Sequence, residues 1–214
     1  MPLPLTPTLS YVSSYLREWE QSERLENYRL QEQSLKLLFK QFCPTNGVLE
    51  QVLLKVSTLN DFYSTNIFDT YSVAKHIRKI DIDHRLKNGD LSLVNELALV
   101  KIRDKNRNFY SFASKYCSHH FPDSFPIFDS YVEKMLMHYA RADGFSSFRK
   151  DDLRNYDRFV KIIKEFQNHY GLGQFSLRQI DVFLWLAGKE SFPPKYSEGI
   201  TLRSSGTAQK RAAP

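Results

Sequence analysis

The sequence is short of cysteine, glycine and proline, and each shortage excludes something. Of 214 residues only two are cysteine, Cys43 and Cys117. They stand far apart with no metal-ligand spacing around them, which leaves a disulfide scaffold, a zinc site or a four-cysteine iron–sulfur cluster without basis. We expect both thiols to be reduced and structural, with no metal and no cofactor required. Eight glycines and nine prolines are few for this length, so turns are sparse and helices have room to run. No run of eighteen apolar residues occurs, and the opening MPLPLTPTLS has neither the basic flank nor the apolar stretch of a secretory signal. A cytoplasmic protein without a membrane partner is expected. Charge is not extreme either: 30 Lys and Arg against 24 Asp and Glu give +6, compatible with a polyanionic partner but insufficient to establish one.

What is present is helical periodicity. With 42% hydrophobic and 14% aromatic residues, the chain can build one globular domain or two small lobes, and its apolar positions recur at three and four. Val12, Tyr15, Leu16 and Trp19 form one stripe; Leu35, Leu38, Phe39 and Phe42 a second; Leu49, Val52, Leu53, Val56 and Leu59 a third. Later stripes fall on 93–97, 109–120, 132–139 and 156–170, the last stopping at Gly171 and Gly173, where a left-handed cap is sterically cheap. Ser176 with Gln179 three residues on has capping-box spacing and opens a final helix. The polar segment 79–90 reads as a connection with an Asn88-Gly89 turn that divides two helical lobes. Residues 1–190 therefore read as a single all-α domain and 191–214 as a flexible, mildly basic tail.

The stretch from Lys101 to Met137, KIRDKNRNFYSFASKYCSHHFPDSFPIFDSYVEKMLM, carries the chemistry. A basic, asparagine-bearing loop leads into an amphipathic helix, and a proline-containing connection ends in Phe125-Pro126-Ile127-Phe128-Asp129 as a new helix begins. Asp129 is placed to N-cap that helix, aimed by a rigid scaffold.

This helix, connection and FPIFD-SYV arrangement resembles helix-hairpin-helix DNA glycosylases, above all the adenine-mismatch and 8-oxoguanine branches and small bacterial proteins of the 8-oxoguanine-glycosylase-like type. The likeness is clearest over residues 92–141, with support from LNDFYSTNI at 59–67 and RQIDVFLWLAGK at 178–189. It implies a bilobed helical fold and a monomer that hydrolyses the N-glycosidic bond of a base flipped out of DNA, with Asp129 stabilising the cationic sugar and helping to deprotonate water. Candidate bases are 8-oxoguanine, a mismatched purine or a hypermodified phage cytosine, for repair or antiviral defence. The sequence departs from the family twice. The glycine-rich hairpin is missing and KIRDKNRN stands in its place. The lysine of bifunctional members, about eighteen or nineteen residues before the aspartate, is replaced by Ser111 or Tyr110, as in the monofunctional branch. Lys115, one turn on and on the face of Ser111, is the alternative nucleophile for a glycosylase/lyase.

Around these we expect a base pocket from Asn60, Tyr63, Thr65, Tyr110 and Ser111, and phosphate contacts from Lys101, Arg103, Lys105, Arg107 and Asn108, the four cations recurring at every second position as suits an extended loop. His119 and His120 point differently and make no joint site; His120 falls on the apolar stripe as a core histidine. Asp181 and Trp185, though similar to a recurrent ending of the bacterial branch, read as structural. The rival readings are a non-catalytic helical DNA-binding module, with Asp129 only a cap, and a helical interaction protein unrelated to DNA.

Overall fold

The computed structural model describes residues 4–193, so the basic tail expected at 191–214 lies almost wholly outside the described residues. The chain is mostly helical. Helices α1 (Leu9–Gln21), α2 (Glu26–Leu37), α3 (Leu49–Tyr63), α4 (Thr70–Ile80), α5 (Asp83–Lys87) and α6 (Ser92–Ala98) precede a β-hairpin of β1 (Leu99–Ile102) and β2 (Lys105–Asn108). Helices α7 (Tyr110–His120), α8 (Ser130–Asp143), α9 (Tyr156–His169) and α10 (Leu177–Ser191) follow. The stripes read from the sequence converge on one apolar core running from Val12 to Ala187, where fully burying each large side chain is worth about 1.5–3 kcal/mol. First and last helices meet, with α1 and α8 both packed on α10, while α3 pairs with α4 and α6 with α7.

Four sequence readings are corrected. Phe42 is 68% exposed because Leu38–Phe42 is π-helical, closed by Cys43 N–H donating to Leu38 O at 2.8 Å; the wider turn rotates Phe42 off the stripe of Leu35, Leu38 and Phe39. The polar connection at 79–90 contains α5 and sends Ile82 and Leu86 into the core, although Gly89 does turn at φ 64°. Gly171 takes the left-handed cap expected after α9, but Gly173 does not. The basic stretch before α7, read as an extended loop or helix entry, is extended but paired on itself as a β-hairpin.

That hairpin pairs Leu99 with Asn108, Val100 with Arg107, Lys101 with Asn106 and Ile102 with Lys105, with Arg103 at φ 53° in the turn. Opposed residues share a face and successive ones alternate. Val100, buried, and Ile102, half-buried, anchor one face, and β1 packs on α4. Cations at every second position are therefore split: Lys105 and Arg107 lie on the Val100 face, Lys101 on the other, Arg103 at the tip.

Beneath this, residues 43–46 are fixed by a buried polar cluster. Lys55, fully buried, donates to Thr45 O at 2.9 Å and Asn46 Oδ1 at 2.6 Å and meets His120 Nε2 at 3.3 Å. Asn46 in turn donates its backbone and side-chain N–H groups to Asp83 and accepts from Tyr116 OH. Burial lowers the Lys55 pKa to about 8 against the pull of Asp83. His120 is thus the core histidine its position predicts, kept neutral first by burial and then by Lys55.

Candidate active site

The segment Phe125–Asp129 is clamped from three helices. Pro126 O accepts Tyr156 OH from α9 at 2.6 Å, and Ile127 N–H donates to Asp181 Oδ2 on α10 at 2.8 Å. Phe128 N–H donates to Ser114 Oγ and Phe128 O accepts Ser111 Oγ, both at 3.0 Å from α7. Asp129, in extended backbone, then caps α8 as the sequence predicts, one carboxylate oxygen accepting Tyr131 N–H at 2.8 Å and Val132 N–H at 2.9 Å. Its other oxygen takes no part in the cap. Helix α8 is held against α10 at Gly188, where a methyl group would stand 2.8 Å from Tyr131 Cβ.

Asp129 lines a cavity of about 330 Å³ together with Asp181, a volume at the lower end of the roughly 300–1,000 Å³ typical of small-molecule sites. Its aromatic wall is Trp185 with Trp19 and Tyr28 meeting it edge-on, ring centroids 6.1 and 5.0 Å away. The Arg178 guanidinium, 2.7 Å from Glu32, lines it too. Asp181 is 2% exposed; among the described residues its Oδ1 is the buried side-chain atom left without a hydrogen-bond partner. Burial raises its pKa to about 8, with Asp129 adding to the rise and Arg178, the Ile127 N–H and Lys115 opposing it. The shift favours the protonated form of this carboxyl, in which Oδ1 is an unused O–H donor.

Tyr63 and Ser64 separate this cavity from a second of about 580 Å³, lined by Lys115, Ser111, Tyr110, Thr65, Asn108 and Arg154 among others. Lys115 is 5% exposed. As its spacing predicts, it donates to Ser111 Oγ one turn back, and its ammonium lies 5.2 Å from the Tyr63 ring centroid. Burial lowers its pKa, with Asp129 and Asp181 pulling the other way. Tyr63 OH and His119 Nε2 are 3.0 Å apart. Burial and then Arg178 hold that imidazole neutral, at about 3, while burial pushes the Tyr63 phenol up to about 12.

The sequence expectations divide here. Tyr63, Thr65, Tyr110 and Ser111 share the second cavity, and of them only Tyr63 also lines the cavity of Asp129; Tyr110 is a wall only, its OH spent on Leu153 O at 3.0 Å. Asn60 is not a pocket donor. Its amide holds the following loop, Oδ1 accepting Thr65 OH and Ile67 N–H and Nδ2 donating to Ile67 O, which secures left-handed Ser64 and Asn66 at φ 47° and 58°. Of the expected phosphate contacts, Asn108 reaches the second cavity, Lys101 and Arg103 line a separate groove against α4, and Lys105 and Arg107 are exposed on the other face. Asp181 and Trp185, read as structural, belong to the cavity; the signal was an aspartate set inside the apolar run of α10. Arg178 and Glu32 carried no sequence signal, being 146 residues apart. Among the described residues no cluster of three His, Cys, Asp or Glu is arranged to hold a metal, and no helix is long and apolar enough to cross a membrane.

Comparison with known proteins adds lineage without chemistry. An uncharacterized protein of Haemophilus influenzae is 50% identical over 146 residues, 68% of this chain and 70% of that protein. No solved structure matches. The family model HI_0787_N, described as an N-terminal domain, matches residues 11–124, from α1 to just past α7, and stops short of Asp129. With that match over half its length, the chain belongs to the HI_0787_N family.

Proposed function

We propose that this protein is a DNA N-glycosylase of the helix-hairpin-helix type, with a β-hairpin where that family has its glycine-rich turn, and that it acts without a cofactor. The observation that carries the reading is the pairing, in one aromatic-walled cavity, of the cap carboxylate Asp129 with the buried acid Asp181, whose Oδ1 has no hydrogen-bond partner. A flipped base enters against Trp185 and Tyr28, and Asp181 donates its free O–H to a ring nitrogen or carbonyl, drawing off charge as the base departs. The C1′–N bond breaks with its electron pair on the base. The oxocarbenium-like sugar is stabilised by the Asp129 carboxylate, water adds at C1′ and loses its proton to that carboxylate, and the released base takes up a proton from solvent. An abasic site remains. The substrate classes are 8-oxoguanine, a mismatched purine or a hypermodified cytosine of phage DNA, placing the protein in repair or in defence.

One observation favours a second reading, a glycosylase/lyase. Lys115 is buried beside a cavity with its pKa lowered, so a larger share is neutral amine. Attack of that amine on C1′ expels the base and gives an imine, from which β-elimination cuts the strand.

The test incubates the protein with duplex and single-stranded oligonucleotides bearing each of the three base classes and with phage DNA carrying modified cytosine, reading abasic sites by alkali cleavage. Release by wild type, lowered about 10²-fold or more in Asp129→Asn with DNA binding intact, is the expected result; turnover retained by that variant overturns the mechanism. Breaks without alkali, with borohydride trapping lost in Lys115→Ala, select the lyase. No release from any substrate leaves the DNA-binding module.

A further inference from the structure

A third concavity, of about 630 Å³, lies between α4 and the β-hairpin and is lined by Lys75, Arg78 and Lys79 of α4 and by Lys101 and Arg103 of the hairpin, with no acidic side chain in its wall. Nothing in the candidate active site uses α4. The cations are unspent: among the described residues none of these five forms a salt bridge, whereas Arg85 and Arg158 elsewhere are paired. Of the nearby carboxylates, Asp69 caps α4 through the N–H and OH of Ser72 while also attracting Lys75 and Arg103, and Asp81 and Asp104, beside Lys79 and Arg103 in sequence, form no salt bridge among the described residues. The spacing explains the concentration of charge. Val73, Ala74 and Ile77 take α4 into the core, which leaves 71, 75, 78 and 79 on the outer face. The β-hairpin's tip then brings Lys101 and Arg103 across to the same groove.

Aromatic side chains stand at the N-terminal end of this basic face. Tyr71 is 52% exposed with the Lys75 ammonium 4.6 Å from its ring centroid, and Phe68, two residues before the helix, is 99% exposed. An exposed phenylalanine on a loop held by Asn60 retains a free ring face at the cost of leaving apolar area in water. Cations continued by exposed rings at one end are the chemistry of a nucleic-acid path, phosphates on the cations and unpaired bases on the rings; a simple polyanion has no use for the rings, and an anionic lipid surface, which would take an exposed phenylalanine, is the rival outcome of the test.

We propose that the groove between α4 and the β-hairpin binds the phosphodiester backbone of a nucleic acid strand, with Tyr71 and Phe68 as stacking platforms for unpaired bases at its end. The choice of nucleic acid rests on the reading above, but the test needs no base release, so the two fail separately.

Binding of fluorescein-labelled, undamaged duplex and single-stranded oligonucleotides is followed by anisotropy across a salt series. For the triple variant Lys75→Gln/Lys79→Gln/Lys101→Gln we expect a loss of at least about tenfold in affinity for duplex, and the slope of log affinity against log salt to become shallower by between about 2 and 3. A control of equal charge outside the groove, Arg141→Gln/Lys161→Gln/Lys164→Gln, and the conservative Lys75→Arg/Lys79→Arg/Lys101→Arg should bind like wild type. Tyr71→Ala and Phe68→Ala should weaken single-strand binding and leave heparin binding unchanged. The proposal is overturned if wild type binds no oligonucleotide at low salt, if the control loses as much as the groove variant, if the ring variants bind single strands normally, or if phosphatidylcholine–phosphatidylserine vesicles, and not oligonucleotides, respond to the groove. Groove-dependent binding by a protein that releases no base keeps this inference and removes the glycosylase.

Discussion

Two lysines are buried in two regions of the molecule, and they are satisfied very differently. In the cluster at 43–46, Lys55 has three partners and lines none of the three cavities described above. On the wall below Tyr63, Lys115 has one, Ser111, and opens on space. The carboxylates repeat the contrast: both Asp83 oxygens accept from Asn46, while Asp181 Oδ1 accepts and donates nothing. Burial of an ionisable group thus does not by itself mark a functional region. What sets Asp181 and Lys115 apart is unspent hydrogen-bonding capacity in residues that line cavities, which a fold selected only for stability would fill or replace with an apolar group.

The contrast breaks most readily at the lysines. Lys55→Met should cost about 3 kcal/mol or more, since it strands a cluster built around the ammonium, and Lys115→Met less than about 1 kcal/mol; urea midpoints measure both, and equal losses would erase the distinction. Asp181→Asn sharpens it through pH. The Asp181 pKa is raised in the fold, to about 8, so the stability it contributes is complete below its unfolded value of about 3.9 and is lost as pH rises through 8. The asparagine variant should therefore gain in melting temperature over wild type from pH 4 to 8 and level off above. A constant offset across that range would mean the carboxylate is ionised in the fold. Gly188→Ala, forcing a methyl into Tyr131, should cost about 1–3 kcal/mol and cut base release further than its stability loss accounts for by moving Asp129 from Asp181. Smallest is Ser176→Ala, which removes the N-cap of α10, at about 1 kcal/mol; it should loosen the cavity side and leave the Lys55 cluster untouched, as amide exchange would report.

Local rules written in consecutive residues were legible before the structure. Asp129 before SYV is a cap wherever that helix packs, and Ser176 with Gln179 closes its box by spacing alone, at 3.2 and 2.9 Å. The stripes of α1, α3 and α9 followed from period. What was not legible depends on distant partners. The hairpin at 99–108 carries only Val100 and Ile102 as apolar alternation, against a second strand, KNRN, that is exposed throughout, and only the side of α4 makes a strand of it. Lys115 has the sequence neighbourhood of a solvated lysine, and its ammonium is covered by Tyr63, far off in the chain. Asn60 looked like a pocket amide because its partners, Thr65 and Ile67, lie in a loop whose left-handed turns no glycine announces.

The docking of α1 and α8 on α10 has a temporal side. Tyr15 OH donates to Glu190 across 175 residues, and Ile127 reaches Asp181 across 54. Contacts of such separation form late, after the loop-closure entropy of the whole chain has been overcome. On a ribosome the cap carboxylate of α8 emerges well before the acid that shares its cavity, and the first helix waits for the last. A nascent chain that lacks α10 cannot complete the cavity, so the two carboxyls that line it come together only once the last helix has been made.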